Sequence, residues 1–216
     1  MPADSTRRIR PSAADTQRRL LETAERLFAE RGVHAVSNRQ VAEAAGQGSN
    51  SAVGYHIGTK SDLIAAIVGM HAVPMDRLRD AMVRRAAGST ELRDHAACLV
   101  LPLTSHLADL GVPSWYARFA VQVTADPALR VTIREATATP ALRRALAAIH
   151  EHSRDLPAPA AMLRGGMVGN VIMHACAERE QALADGLAGD TDSWAETGRL
   201  LIDAVTGLLT AEHVRH

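Results

Sequence analysis

The chain has 216 residues, 47% apolar and 22% charged, enough to bury a sizeable core and too apolar for a disordered segment. Its aromatic content is only 3%, and the Ala-, Leu- and Arg-rich remainder favours helices over sheets. The formal net charge is zero, yet residues 1–60 carry nine Arg or Lys against six Asp or Glu and the rest carry fifteen against eighteen, so a basic head on an acidic body points weakly to a polyanion partner for the head alone.

No run of about 18 apolar residues marks a membrane span, and the start "MPADSTRRIRPSAADTQ" lacks the apolar stretch of a secretory leader. Cys98 and Cys176 stand far apart in no metal spacing, which fits two reduced, buried thiols in a cytoplasmic protein. Residues 1–12 read as a flexible basic arm. Its "RRIR" (Arg7 to Arg10) either reaches a minor groove or flanking phosphates, or is a solvated tail.

From Thr16, "TQRRLLETAERLFAERG" places Leu20, Leu21, Ala24, Leu27 and Phe28 on one helical face, with Gly32 as a C-terminal cap. "SNRQVAEAAG" opens with Ser37 and has Gln40 three residues on, a capping-box signature for a short second helix that stops at Gly46. A third helix is predicted over 50–57, with Val53 and Ile57 inward. Thr59, with Asp62 three residues on, caps a fourth carrying Leu63, Ile64, Ile67, Val68, His71, Met75, Leu78 and Met82. Pro74 falls within that pattern and either kinks the helix beside His71 and Met75 or ends it.

Two short helices joined by a Gly-containing turn and braced by a longer one make a helix-turn-helix. With Val53 at the core and about 100° per residue, Ser51 and Tyr55 point outward, flanked by Ala52 and Gly54. A face that small can enter a major groove, where base edges are displayed. The segment "AAGQGSNSAVGYHIGTKSDL" also holds the only lysine of the chain, Lys60, at a helix start.

The residues "LFAERGVHAVS", "VAEAAG" and "SAVGYHIGTKSDL" resemble the DNA-binding domain of the TetR family of transcriptional regulators. The resemblance covers about residues 13–65. It implies that Tyr55, near the end of the recognition helix, and Lys60, at the start of the next, grip DNA phosphates. The chain departs from the commonest family form in a stretch one residue longer between Gly46 and Tyr55, and in Ile57 where an aromatic is usual. The candidate DNA-contacting residues are Ser37, Arg39, Ser49, Asn50, Ser51, Ala52, Gly54, Tyr55, His56, Thr59 and Lys60.

Beyond residue 66 the chain reads as further helices punctuated by Pro and Gly/Asp clusters, with the segment 92–111 broken at Pro102 and no strand-like alternation. The expected fold is all-α: a three-helix helix-turn-helix domain (13–60) and a larger helical domain for ligand binding and dimerisation (61–216). The last two long helices are the candidate two-fold interface. One carries the small-residue stripe Ala161, Gly165 and Gly169, the other Leu200, Leu201, Ala204, Val205, Leu208 and Leu209; packing within their own domain is the alternative. The candidate ligand-binding residues are His71, Met75, Cys98, Trp115, Phe119, Met167, Asn170 and His174, with ordinary core as the alternative for each.

His150 and His152 point apart on a helix and make no metal site. No nucleophile elbow, P-loop or dinucleotide-binding glycine pattern occurs in a strand–turn–helix context, so neither an enzyme nor a cofactor is expected. The expected function is sequence-specific, DNA-binding transcriptional regulation by a homodimer, a repressor released from a palindromic operator by a small-molecule ligand. The alternative is a small-molecule-binding or enzymatic helical protein with a vestigial DNA-binding head.

Overall fold

Three hydroxyl residues start the helices of the head. Ser12, Ser37 and Thr59 each accept a hydrogen bond from the backbone N–H three residues on, and Asp15, Gln40 and Asp62 reach back to the cap's own N–H. Such a box satisfies two of the N–H groups that a helix start leaves without partners. The helices so opened are α1 (Ala13–Arg31), α2 (Asn38–Ala44) and α4 (Lys60–Arg85), with the five-residue α3 (Ala52–His56) between the last two. Gly58 makes the turn into α4 at φ +122°, and a Cβ there would lie 2.6 Å from the capping carboxylate of Asp62. Only glycine fits that position without disturbing the cap.

This computed structural model describes residues 12–49, 51–187 and 193–212. Arg7 to Arg10 of the basic arm and Asn50 lie outside the described residues. The body contains α5 (Leu92–Leu110), α6 (Tyr116–Ala125), α7 (Pro127–Thr137), α8 (Pro140–Glu151), α9 (Ala158–Ala184) and α10 (Trp194–Thr210). Among the described residues there is no strand, and no helix is long and apolar enough to cross a membrane.

Two prolines lie inside continuous helices. Pro74 neither ends nor splits α4, which runs unbroken from head to body. The break expected at Pro102 is absent, since α5 continues through it. A proline inside a helix costs about 3 kcal/mol locally, and tertiary packing offsets it here. Val100, Pro102, Leu103 and Thr104 are all buried, and Gly198 of α10 sits so close that a Cβ would meet Thr104 Oγ1 at 2.9 Å.

Head and body share one core. A continuous buried apolar cluster runs from Leu20 in α1 to Leu209 in α10. Phe28 of α1 stacks on Phe119 of α6, ring centroids 6.1 Å apart. Within the body, Glu180 of α9 is 1% exposed. Its carboxylate accepts from the Ser114 hydroxyl at 2.9 Å, from the backbone N–H of Ala117 and Arg118 at 3.2 and 3.0 Å, and from Arg118 Nε at 3.1 Å. An acidic group on the N-terminal amides of α6 satisfies donors that have no partner within the helix and complements its dipole.

Removing one partner of such a pair leaves a buried charge or donor uncompensated. Glu180→Gln is therefore expected to lower unfolding stability by about 3 kcal/mol, read as a shift of the urea midpoint. A midpoint unchanged from wild type would contradict the anchoring role.

Candidate functional site

The outward face of α3 is set by what α3 buries. Ala52 and Val53 are buried against the head, whereas Ser51, Gly54 and Tyr55 are exposed, Tyr55 at 85%. Ala52 therefore does not belong to the exposed face expected of it. In a five-residue helix packed on both α1 and α2, the buried sector is wide enough to take two consecutive positions. A Cβ at Gly54 would meet nothing within 4 Å, so this surface is open. Ser49 and Ser51 join hydroxyls at 2.8 Å at the start of the face. His56 is half-buried with its ring edge-on to Tyr55, centroids 4.9 Å apart.

The other head candidates have structural partners. Ser37 and Thr59 serve their capping boxes, and exposed Arg39 pairs with Glu43 at 2.8 Å. Lys60 folds back: its Nζ donates to the Val36 carbonyl at 2.6 Å and lies 5.6 Å from the centre of the Phe28 ring. Partial desolvation lowers its pKa. Lys60 thus braces the turn between α1 and α2, and two of its three N–H bonds remain for another acceptor.

Above the head, α1, α4, α5 and α6 meet at a buried polar chain. His71 Nε2 lies 2.8 Å from Glu25 Oε2, and His71 Nδ1 lies 2.8 Å from His106 Nε2. The Tyr116 ring stacks on His71 at 4.0 Å. Burial pushes the Tyr116 hydroxyl far above its usual range, so it stays neutral. Burial, with the neighbouring His71 adding to it and Asp109 opposing, pushes His106 down to about 4. Glu25 shares the apolar sector of Leu21, Ala24 and Phe28, and that charged residue in an apolar stripe was the signal for this cluster in the sequence.

Tyr116 also lines a cavity of about 370 Å³ enclosed by α4 to α9. Its lining is apolar apart from Tyr116, Arg79 and three threonines, Thr124, Thr137 and Thr139. Of the eight ligand-binding candidates only Met75 lines it. His71 belongs to the polar chain, and Phe119 is core against Phe28. Trp115 is the N-terminal cap residue of α6. Cys98 faces a separate groove beside Leu78 and Met82. Its thiol donates to the Asp94 carbonyl, and burial raises its pKa. Burial likewise pushes Cys176 up to about 12.

Met167, Asn170 and His174 lie on the exposed side of α9, and Gly165 and Gly169 on the cavity side. Gly165 and Gly169, rather than the expected Met167, Asn170 and His174, thus border the cavity. The reason is that α9 is apolar or small on both sides, so periodicity alone does not say which side meets the body. The α10 stripe divides as well. Leu201, Val205 and Leu209 are buried in the body, while Leu200 and Ala204 are exposed and Leu208 is half-buried. Among the described residues no group of three or more His, Cys, Asp or Glu could hold a metal.

Residues 20–67 match the family model for bacterial regulatory proteins of the tetR family. That segment, in the head of the chain, matches the TetR family. The chain is similar in structure to a TetR-family regulator from Streptomyces coelicolor A3, at 26% identity and a TM-score of 0.50, with 94% of this chain and 98% of that one covered. It is also similar to the fatty acid degradation regulator FadR from Bacillus halodurans, at 16% identity and a TM-score of 0.59, covering 96% of this chain and 100% of that one. A third similar structure, from Mesorhizobium loti, has 18% identity and a TM-score of 0.51 over 93% of this chain and 98% of that one. No curated protein sequence matches. The TetR fold serves DNA-binding transcriptional regulation, and its second part here is the larger helical body.

The depressed His106 carries a pH dependence. Its folded value of about 4 lies below the ordinary 6.5, so the unfolded chain binds the proton first as pH falls. Its contribution is complete above pH 6.5 and declines toward pH 4. For a half-exposed ring we expect a loss of about 1 kcal/mol between neutral pH and pH 5. Urea midpoints at both pH values should therefore fall further for wild type than for His106→Gln. Equal falls would contradict the assignment.

Proposed function

We propose that this chain is a homodimeric, sequence-specific repressor that a small molecule in the body cavity releases from a palindromic operator. The observation that carries the DNA-reading part is the open face of α3, small at Ser51 and Gly54 and marked by the exposed ring of Tyr55. Residues 13–60 are then the DNA-reading head and 61–216 the ligand-binding and dimerisation body. Ser49, Ser51, Gly54 and His56 face the major groove. Arg39, Ser37, Thr59, Tyr55 and the free N–H bonds of Lys60 contact the backbone.

Dimerisation is assigned to the exposed sides of the last two helices. On α9 that side carries Met162, Leu163, Met167 and Val171, exposed by 78%, 66%, 44% and 38%, and on α10 it carries Leu200 at 53%. Large apolar side chains gathered on one helix pair favour a covered face. A two-fold axis there presents two copies of α3 to half-sites about 34–36 Å apart.

Coupling is supported by direct contacts. Tyr116 touches both the cavity and His71, which is bonded to Glu25 of α1. A ligand that shifts α6 acts on α1 through this contact and through Phe28 against Phe119. It does so only to the extent that it binds the released conformer more tightly. A catalytic body is less well supported. The cavity lining has no His, Cys, Asp or Glu among the described residues to serve as base or acid.

The test is fluorescence anisotropy with DNA from immediately upstream of the gene, followed by selection from a random library. A palindromic site is expected to bind far more tightly than either half-site alone. Tyr55→Ala is expected to weaken binding roughly tenfold. Lys60→Ala should weaken all sequences similarly and flatten the salt dependence by about one unit. Met167→Arg should yield a monomer that loses the advantage of the full palindrome. Failure to select any sequence over random DNA would overturn the reading.

A further inference from the structure

Among the described residues, Arg79 is the one charged side chain on the cavity lining. Its side chain is 11% exposed, and its Nε has no hydrogen-bond partner. The nearest carboxylate, Asp76, stands 3.5 Å from the guanidinium, and the same oxygen accepts a short hydrogen bond from the Thr139 hydroxyl. Asp76 is therefore a shared and distant counter-ion. A guanidinium keeps its charge under ordinary conditions, and a buried charge without a close partner is unfavourable.

The other polar groups of the lining are largely committed. Thr124 donates to the Ala120 carbonyl at 2.8 Å and Thr137 to the Ile133 carbonyl at 2.8 Å, while Thr139 donates to Asp76. What remains to greet a ligand is the Arg79 fork and the neutral Tyr116 phenol, both hydrogen-bond donors. A planar fork matches a carboxylate with two parallel bonds. With Asp76 already beside the guanidinium and, among the described residues, no second cation on the lining, a single carboxylate on the open side of the fork is favoured over a doubly charged group.

From this geometry we propose that the cavity takes an amphipathic monocarboxylate. Its carboxylate sits on Arg79, and its apolar body lies among Leu99, Leu103, Ile133, Leu142 and Ile172. The inference rests on the cavity being the effector site proposed above, and it specifies the chemistry of that effector. Neither a metal nor a covalent step is involved. The ligand supplies a partner for the Arg79 Nε that Asp76 leaves open, and the lining shields that pair from water.

Equilibrium dialysis of the full chain tests it with two matched sets of probes. One set is decanoate, decanol and decyltrimethylammonium; the other is naphthoate and naphthylmethanol. At least one carboxylate is expected to bind roughly tenfold more tightly than its alcohol, and the cation is expected not to bind. In Arg79→Gln that preference should vanish while alcohol binding persists. The wild-type comparison stands even where the variant folds poorly, as thermal unfolding will show. Alcohols binding as well as carboxylates, a carboxylate preference surviving in folded Arg79→Gln, or no binding of either carboxylate would each overturn the proposal. DNA anisotropy with the bound carboxylate separates the two claims. Binding through Arg79 that leaves operator affinity unchanged upholds the anion assignment and refutes ligand release.

Discussion

The buried bond between Glu25 and His71 is the constraint on which the rest of this molecule depends. It joins the first helix of the head to the long helix that enters the body, with both side chains under a tenth exposed. A carboxylate taken out of water must keep its partner, because a solitary buried charge costs several kcal/mol. The pair therefore fixes the rotation of α1 on α4 far more strictly than apolar packing alone, which tolerates small slides. His106 and Tyr116 complete the surround, and Tyr116 carries it to the cavity wall. A second bridge runs parallel to it, from Lys60 at the head surface through the Phe28 ring to Phe119. Both bridges start in the head and end in α6. Through these contacts the cavity wall is joined to α1 of the head.

Much of the head was legible in the sequence because its determinants are local. Capping boxes at Ser37 and Thr59, the Gly32 stop and the apolar face of α1 involve residues within four positions of each other. The all-helical body was legible for the same reason. The cavity was not, because its wall is assembled from six helices and no single helix reveals which of its residues face the void. Pro102 shows the limit in another form. Its local penalty points to a break, and only the packing of α10 against α5 explains why none occurs.

The site residues divide along the same line. Exposure of Tyr55 and Ser51 followed from one buried reference, Val53, whereas Ala52 went the other way because α3 packs on two helices at once. On α9, Met167 was read as a pocket residue, yet the glycines border the cavity instead. Gly165 and Gly169 leave room in the cavity wall, while Met162 and Met167 stand outside. Sequence reading missed two charged residues within apolar stripes that mark where the interior carries polar work. They are Glu25 among Leu21, Ala24 and Phe28, and Arg79 four residues after Met75.

Native-state hydrogen exchange through a urea series measures most directly whether head and body move as one. If the Glu25–His71 bond and the Phe28–Phe119 stack tie them together, the slowest amides of α1 and α6 will converge on one opening free energy and one urea dependence. A separate opening of α1 to α3 at distinctly lower free energy, with α6 still protected, would show the head to be an independent unit and contradict the account.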